Sequence, residues 1–220
     1  MNSKTGNQAS LKITYVDRLL ERVRAEEHSE QAMIVTAHSS RSSQALLTVY
    51  EWGNGNWEKR EEMRAVIGQK GITFDMKEGG MRSPAGIYRI RQSFGTEKSP
   101  LGIKLPYRQT TAFDYWVDDV TSEDYNQWVV YKGDPDLRWR SYERLSIPLY
   151  KYAAVIGYNE DAIPNKGSAI FLHIWPGPDK YTAGCTAVSE ENIVKLLQWM
   201  DPKKNPVIIQ GTVEQLQQLL

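Results

Sequence analysis

Residues Gly167–Val188 read GSAIFLHIWPGPDKYTAGCTAV, and both the fold and the chemistry expected of the chain start from this stretch. Ser168–Ile174 is an apolar run with the length and the β-branched and aromatic content of a buried strand. His173 sits near its end. A turn-rich segment with Pro176, Gly177, Pro178 and Asp179 follows, then Thr182-Ala183-Gly184-Cys185. His173 and Cys185 stand twelve positions apart, joined by a loop able to fold back and bring an imidazole beside a thiol. A free thiol has a pKa of about 8.5, so only a few per cent is thiolate at neutral pH; a neighbouring imidazole raises that fraction by taking the proton. Gly184 has no Cβ, which lets a substrate carbonyl approach and lets backbone N–H groups point at a developing oxyanion. The competing reading is bland. Lone cysteines are more often inert buried hydrophobes, and lone strand histidines are more often satisfied core residues.

Outward from that stretch the chain reads as many short strands with few helices. Gln31–His38 and Gln44–Trp52 are strand-like, with Ser39–Ser43 as a hairpin loop, and Gly53-Asn54-Gly55-Asn56 turns into a further strand through Val66 and Ile67. Lys77–Gly86 and Ser99–Tyr107 read as loops around a strand at Ile87–Ile90. Asp114–Lys132 carries five Tyr and Trp residues without a clean period, as an insertion that lines a site or covers a core face would. Tyr152–Tyr158 and Val207–Gln210 are further strands. A helix starts near Val16 with Leu19, Leu20 and Val23 on one stripe. Another is capped by Ser189 and striped by Ile193, Leu196, Leu197 and Met200 before Pro202, and a short one spans Val213–Leu220. Strands do not alternate regularly with long helices, so a mainly β domain is expected. Residues 1–25 are read as a lead, disordered over 1–10, plus the short helix; residues 26–220 are read as one domain.

Composition narrows the function classes. Lys+Arg and Asp+Glu both number 27 in 220 residues, with no basic run or acidic tail, which argues against a mainly electrostatic nucleic-acid or membrane partner. One cysteine excludes an internal disulfide. With His28 and His38 in unremarkable settings, a zinc site lacks ligands, so neither metal nor cofactor is expected. No apolar stretch reaches the ~18 residues that span a bilayer. Met1–Ser10 lacks the apolar core of a signal peptide, as in a protein kept inside the cell or a mature form with its leader removed. A papain-type arrangement fits poorly, since there the cysteine precedes the histidine at long range.

Taken together, several motifs resemble the L,D-transpeptidase (YkuD-like) catalytic domain: GSAIFLH at Gly167–His173 and TxGCxA at Thr182–Ala187. Upstream, Glu78-Gly79 with Ser83-Pro84-Ala85-Gly86-Ile87-Tyr88, Phe94-Gly95, Asp114–Asp119 before Tyr125-Asn126-Gln127-Trp128, Ser141 to Leu145, and Tyr150–Asn159 are similar to the family in the same order. The likeness covers roughly residues 31–210. It implies a β-sandwich or barrel-like fold with a few short flanking helices, and peptidoglycan stem peptides as substrate. By the same resemblance Cys185 attacks the carbonyl between an L-centre and D-alanine, His173 is its base, and N–H groups around Gly184 and Cys185 hold the oxyanion. The acyl group then passes to an amine, giving a cross-link, or to water, as in an L,D-carboxypeptidase. A catalytically silent domain that binds peptidoglycan is the distant alternative. A cell-wall substrate implies a place outside the cytoplasmic membrane. The sequence departs from the commoner Ser-His-Gly-Cys-x-Arg pattern: Thr182 and Ala183 replace Ser and His, Ala187 replaces Arg, and Ile174 replaces the usual glycine after the histidine. Thr182, Tyr158, Asn159 and Trp175 are candidates for the substrate groove, with turn formation competing at Asn159 and core packing at Trp175. Arg82 and Arg144 are candidates for the missing cation.

Overall fold

The run QAMIVTA has no polar alternation, as a strand covered on both faces requires. In the computed structural model, which describes residues 13–220, it forms β1 (Gln31–Ala37). The lead expected at 1–10 lies outside the described residues. The remaining strands are β2 (Gln44–Gly53), β3 (Asn56–Val66), β4 (Ile72–Thr73), β5 (Ser83–Pro84), β6 (Gly86–Gly95), β7 (Tyr107–Gln109), β8 (Asp114–Val117), β9 (Trp128–Val130), β10 (Tyr142–Arg144), β11 (Ala153–Ile156), β12 (Phe171–Ile174), β13 (Thr186–Val188) and β14 (Val207–Gly211). Among the described residues three α-helices, α1 (Tyr15–Glu26), α2 (Glu190–Trp199) and α3 (Val213–Gln218), flank them.

Strands pair in the order β11-β12-β13-β3-β2-β1-β14-β6, and β6 also pairs with β11, closing a barrel; β7 continues along β6. Closure removes free sheet edges. The mainly β, barrel-like expectation holds.

The two faces of β1 explain the layering. Met33 and Val35 join the inner core with Leu47, Met63 and Ile67. Ala32 and Ile34 face outward, where α1 covers them with Leu19, Leu20 and Val23 and α3 with Leu216. A Thr14–Asp17 capping box starts α1 and a Thr212–Gln215 box starts α3, each satisfying backbone donors that helix ends leave open. Ser189 caps α2, which sends Ile193, Leu196 and Leu197 into the inner core.

The segment read as an irregular insertion contains a small antiparallel sheet, β10-β8-β9. Its strands are three or four residues long, and β8 at its centre is buried on both faces. Trp116 packs with Phe94, Phe171 and Cys185, while Tyr115 and Val117 pack with Trp139. Aromatics on both faces erase the alternation from which a strand is read.

Candidate active site

In β12 the side chains alternate across the barrel wall. Leu172 joins the inner core, whereas Phe171 lies on the outer face, under β8 and its neighbours, in a cluster with Phe94, Trp116, Tyr150 and Cys185. His173 is two residues from Phe171 and therefore shares that outer face. Parallel pairing puts His173 opposite Ala187 on β13, and Cys185 is two residues before Ala187. Strand geometry thus brings the histidine and the cysteine to one side of two neighbouring strands. Both line a cleft of about 320 Å³ together with Leu149, Tyr150 and Tyr181.

Each side chain is held by specific contacts. The imidazole is buried, its edge against the Tyr150 ring at 5.1 Å between centroids. Its Nδ1 lies 2.7 Å from the Ile174 carbonyl. A carbonyl only accepts, so Nδ1 carries the proton and Nε2 keeps the lone pair. Burial pushes the imidazole pKa from 6.5 down to about 4, so it is neutral at physiological pH. Cys185 Sγ donates to the Ala169 carbonyl and accepts the Phe171 N–H, both at 3.3 Å. Burial, helped by the charge of Glu143, pushes the thiol pKa well up. The resting pair is therefore a neutral thiol and a neutral imidazole. Among the described residues His173 is not a hydrogen-bond partner of the thiol.

The loop that presents Cys185 is clamped from two sides. Thr182 Oγ1 donates to the Cys185 carbonyl at 2.6 Å and accepts the Gly184 N–H at 3.1 Å. Ser83 Oγ donates to the Gly184 carbonyl at 2.6 Å and accepts the Gly68 N–H at 2.9 Å. Gly184 is needed for close packing inside the protein: a Cβ there would lie 2.9 Å from the Arg82 carbonyl oxygen. Ala169, whose carbonyl receives the thiol, sits at φ 54°, a left-handed conformation that costs a non-glycine residue roughly 1 kcal/mol. Its N–H bonds to Asn126 Oδ1 at 3.2 Å, which helps hold it there.

The other sequence candidates fall elsewhere. Tyr158 and Asn159 line a separate open groove with Phe74, Asp75 and Tyr88. Asn159 has φ 51° and binds Ile163 and Gly167 through its side chain, so it forms the turn that competed with a groove role. Trp175 continues β12 by donating its N–H to Val188, and its half-buried ring lies outside the walls of the cavities around Cys185. The Arg144 guanidinium stacks over Tyr115 and Tyr142. His28 and His38 are exposed. No group of three or more His, Cys, Asp or Glu side chains among the described residues is arranged to hold a metal.

The family model for the L,D-transpeptidase catalytic domain, YkuD, matches residues 35–209. The chain belongs to that family. Among curated proteins none matches it. Two solved structures are similar: Bd1075 of Bdellovibrio bacteriovorus, at 17% identity and TM-score 0.43, covering 86% of this chain and 54% of that one, and the helical cell shape determining protein Pgp2 of Campylobacter jejuni, at 16% identity and TM-score 0.43, covering 91% and 56%. This YkuD-family chain spans little more than half the length of either.

Five residues around this candidate site were not singled out from sequence: Ser83, Asn126, Glu143, Tyr150 and Ala169. Each lies in a stretch that carries the family resemblance, so motif position was the available signal. Glu143 is the chemically distinctive one. It accepts the Tyr150 hydroxyl at 2.6 Å, and burial, with the charges of Asp118 and Glu78, raises its pKa from 4.5 to about 7. Among the described residues no helix is long and apolar enough to cross a membrane.

Proposed function

We propose that this domain is a cysteine-dependent acyl transferase acting on peptidoglycan stem peptides outside the cytoplasmic membrane. Cys185 attacks the carbonyl between the L-centre and the terminal D-alanine. The observation that carries this reading is the fixed tautomer of His173: with Nδ1–H tied to the Ile174 carbonyl, Nε2 is the proton acceptor on the wall that also holds Cys185. Because both groups are neutral at rest, the proton moves from Sγ to Nε2 as the C–S bond forms, and no thiolate–imidazolium pair is stored beforehand. Gly184 N–H is already bonded to Thr182, so Gly184 serves by shaping the loop and the Cys185 N–H takes the oxyanion. The imidazolium then protonates the departing D-alanine amine. The thioester carbon is next attacked by an amine, forming a cross-link and releasing the thiol.

Mass analysis of purified tetrapeptide muropeptides, incubated with the protein or with Cys185→Ala, tests this. Loss of D-alanine with a linked dimer, dependent on Cys185, supports transfer. Loss without dimers makes the domain an L,D-carboxypeptidase. Intact substrate across several stem types overturns the enzymatic reading and leaves a binding domain.

A further inference from the structure

An asparagine side chain has one oxygen that accepts two hydrogen bonds and one nitrogen that donates two. Asn126 uses all four. Its Oδ1 accepts the Trp116 Nε1–H at 2.8 Å and the Ala169 N–H at 3.2 Å. Its Nδ2 donates to the Tyr158 carbonyl at 3.2 Å and to the Asn159 carbonyl at 2.7 Å. Two donors on one side and two carbonyls on the other fix which way the amide points. The backbone is set as well. Asn126 turns the chain between β8 and β9 at φ 53°, a conformation asparagine tolerates, and its N–H bonds to the Val117 carbonyl at 2.7 Å. One side chain thus ties the aromatic sheet to the turn after β11 and to the chain entering β12.

The bond to Ala169 reaches the nucleophile. The Ala169 carbonyl and the Phe171 N–H converge on Cys185 Sγ, each at 3.3 Å. They lie on either side of Ile170, as do the two groups that a neighbouring strand engages in a parallel ladder. The pairing of β12 with β13 starts only at Leu172 and Thr186, so the thiol takes these two groups at the ladder's end. The direction of the Ala169 carbonyl depends on its left-handed backbone, φ 54°, which alanine seldom adopts unaided. Among the described residues Asn126 lines neither cavity at Cys185, so its effect on the site runs through Ala169.

We infer that Asn126 is a positioning residue for Cys185: it holds Ala169 left-handed, and the Ala169 carbonyl with the Phe171 N–H holds Sγ in place for attack. The consequence for turnover rests on the acyl-transfer reading, whereas the hold on the thiol does not. At rest the thiol proton points at the Ala169 carbonyl. As the proton passes to His173 Nε2, the Phe171 N–H remains as a donor to the sulfur while negative charge develops there. Without Asn126, Ala169 relaxes to an ordinary negative φ, its carbonyl turns away, and the sulfur is free to rotate about the Cα–Cβ bond.

Asn126→Gly removes the side chain and leaves the left-handed backbone accessible, so it separates the four bonds from the turn itself. The first readout is the S–H stretch in the Raman spectrum. The chain has one cysteine, so the band belongs to Cys185 alone. A thiol held on one carbonyl gives a narrow band at low frequency, and in Asn126→Gly it should broaden and move up. The second readout is D-alanine release from a tetrapeptide: kcat should fall roughly ten- to hundredfold with KM within about twofold. Ala169→Gly removes the Cβ penalty of the left-handed backbone, and in the double variant it should recover most of the lost turnover. An unchanged S–H band in Asn126→Gly overturns the inference, as does a raised KM at unchanged kcat, or a double variant no better than the single one. Asn126→Asp keeps the acceptor bonds to Trp116 and Ala169 and should keep the wild-type band; it carries the test if Asn126→Gly fails to fold, and a shifted band there overturns the inference. A shifted band in Asn126→Gly of a protein that releases no D-alanine even as wild type overturns the acyl-transfer reading and leaves the hold on the thiol standing.

Discussion

Thr182 Oγ1 donates to the carbonyl of Cys185 at 2.6 Å while accepting the N–H of Gly184 at 3.1 Å, closing a four-residue loop that ends at Cys185. Both backbone groups are buried. Thr182→Val keeps the shape and removes both bonds, which should cost about 1–3 kcal/mol of stability. Activity should fall further than stability, because the loop positions the thiol. Thr182→Ser should restore both. Chemical denaturation with D-alanine release measured in parallel checks this, and a Val variant with unchanged activity removes Thr182 from the positioning role.

His173 makes stability depend on acid. Its folded pKa of about 4 lies below the ordinary 6.5. Above pH 6.5 the group is neutral in both folded and unfolded chains. As pH falls toward 4 the unfolded chain takes up a proton that the fold refuses, so stability is lost. The loss reaches about 3 kcal/mol at pH 4. Relative to the wild type, His173→Gln should show a flatter decline between pH 7 and 4 in denaturant midpoints. Parallel profiles would count against a buried neutral imidazole.

The thiol should be sluggish at rest. Cys185 is buried, and the Glu143 carboxylate opposes its ionisation. Alkylation by iodoacetamide at pH 7.5 should therefore be slower than that of a free thiol. Glu143→Gln removes a negative charge and should raise the rate by roughly tenfold, for a thiol pKa lowered by about one unit. Mass spectrometry over pH 7–9 reads both rates. Fast alkylation of the wild-type thiol near pH 7 would replace the neutral resting pair with a stored thiolate.

Gly184→Ala would place a methyl carbon 2.9 Å from the Arg82 carbonyl oxygen. Since that neighbour is backbone, relief needs a shift of the Cys185 loop. A cost of about 1–3 kcal/mol is expected. Turnover should drop with little change in KM, a split that steady-state kinetics on a tetrapeptide resolves.

Much of the scaffold was legible in the chain. The apolar run at β1, the Asn54-Gly55 turn and the Ser189 cap are local signals, and each forms the element its residues favour, whereas the run read as a strand over Ser168–Ile174 is a strand only over Phe171–Ile174, with Ala169 left-handed before it. The β8–β10 sheet was not legible, because Tyr115 and Trp116 bury opposite faces of a four-residue strand. Tyr158 and Asn159 looked like neighbours of the site because they precede its strand. The Asn159 turn instead carries them to another groove.

The sequence by itself determined the order of strands and caps and the short loop joining His173 to Cys185, because these rest on contacts within a few residues. Only the tertiary structure decided the protonation of that pair and the gathering of Glu78, Asp118 and Glu143 around one cavity. Desolvation depends on what covers a group, and these covering and neighbouring residues lie far away in the chain. Barrel closure and the β8–β10 sheet bring them together, and no local pattern of residues encodes that meeting.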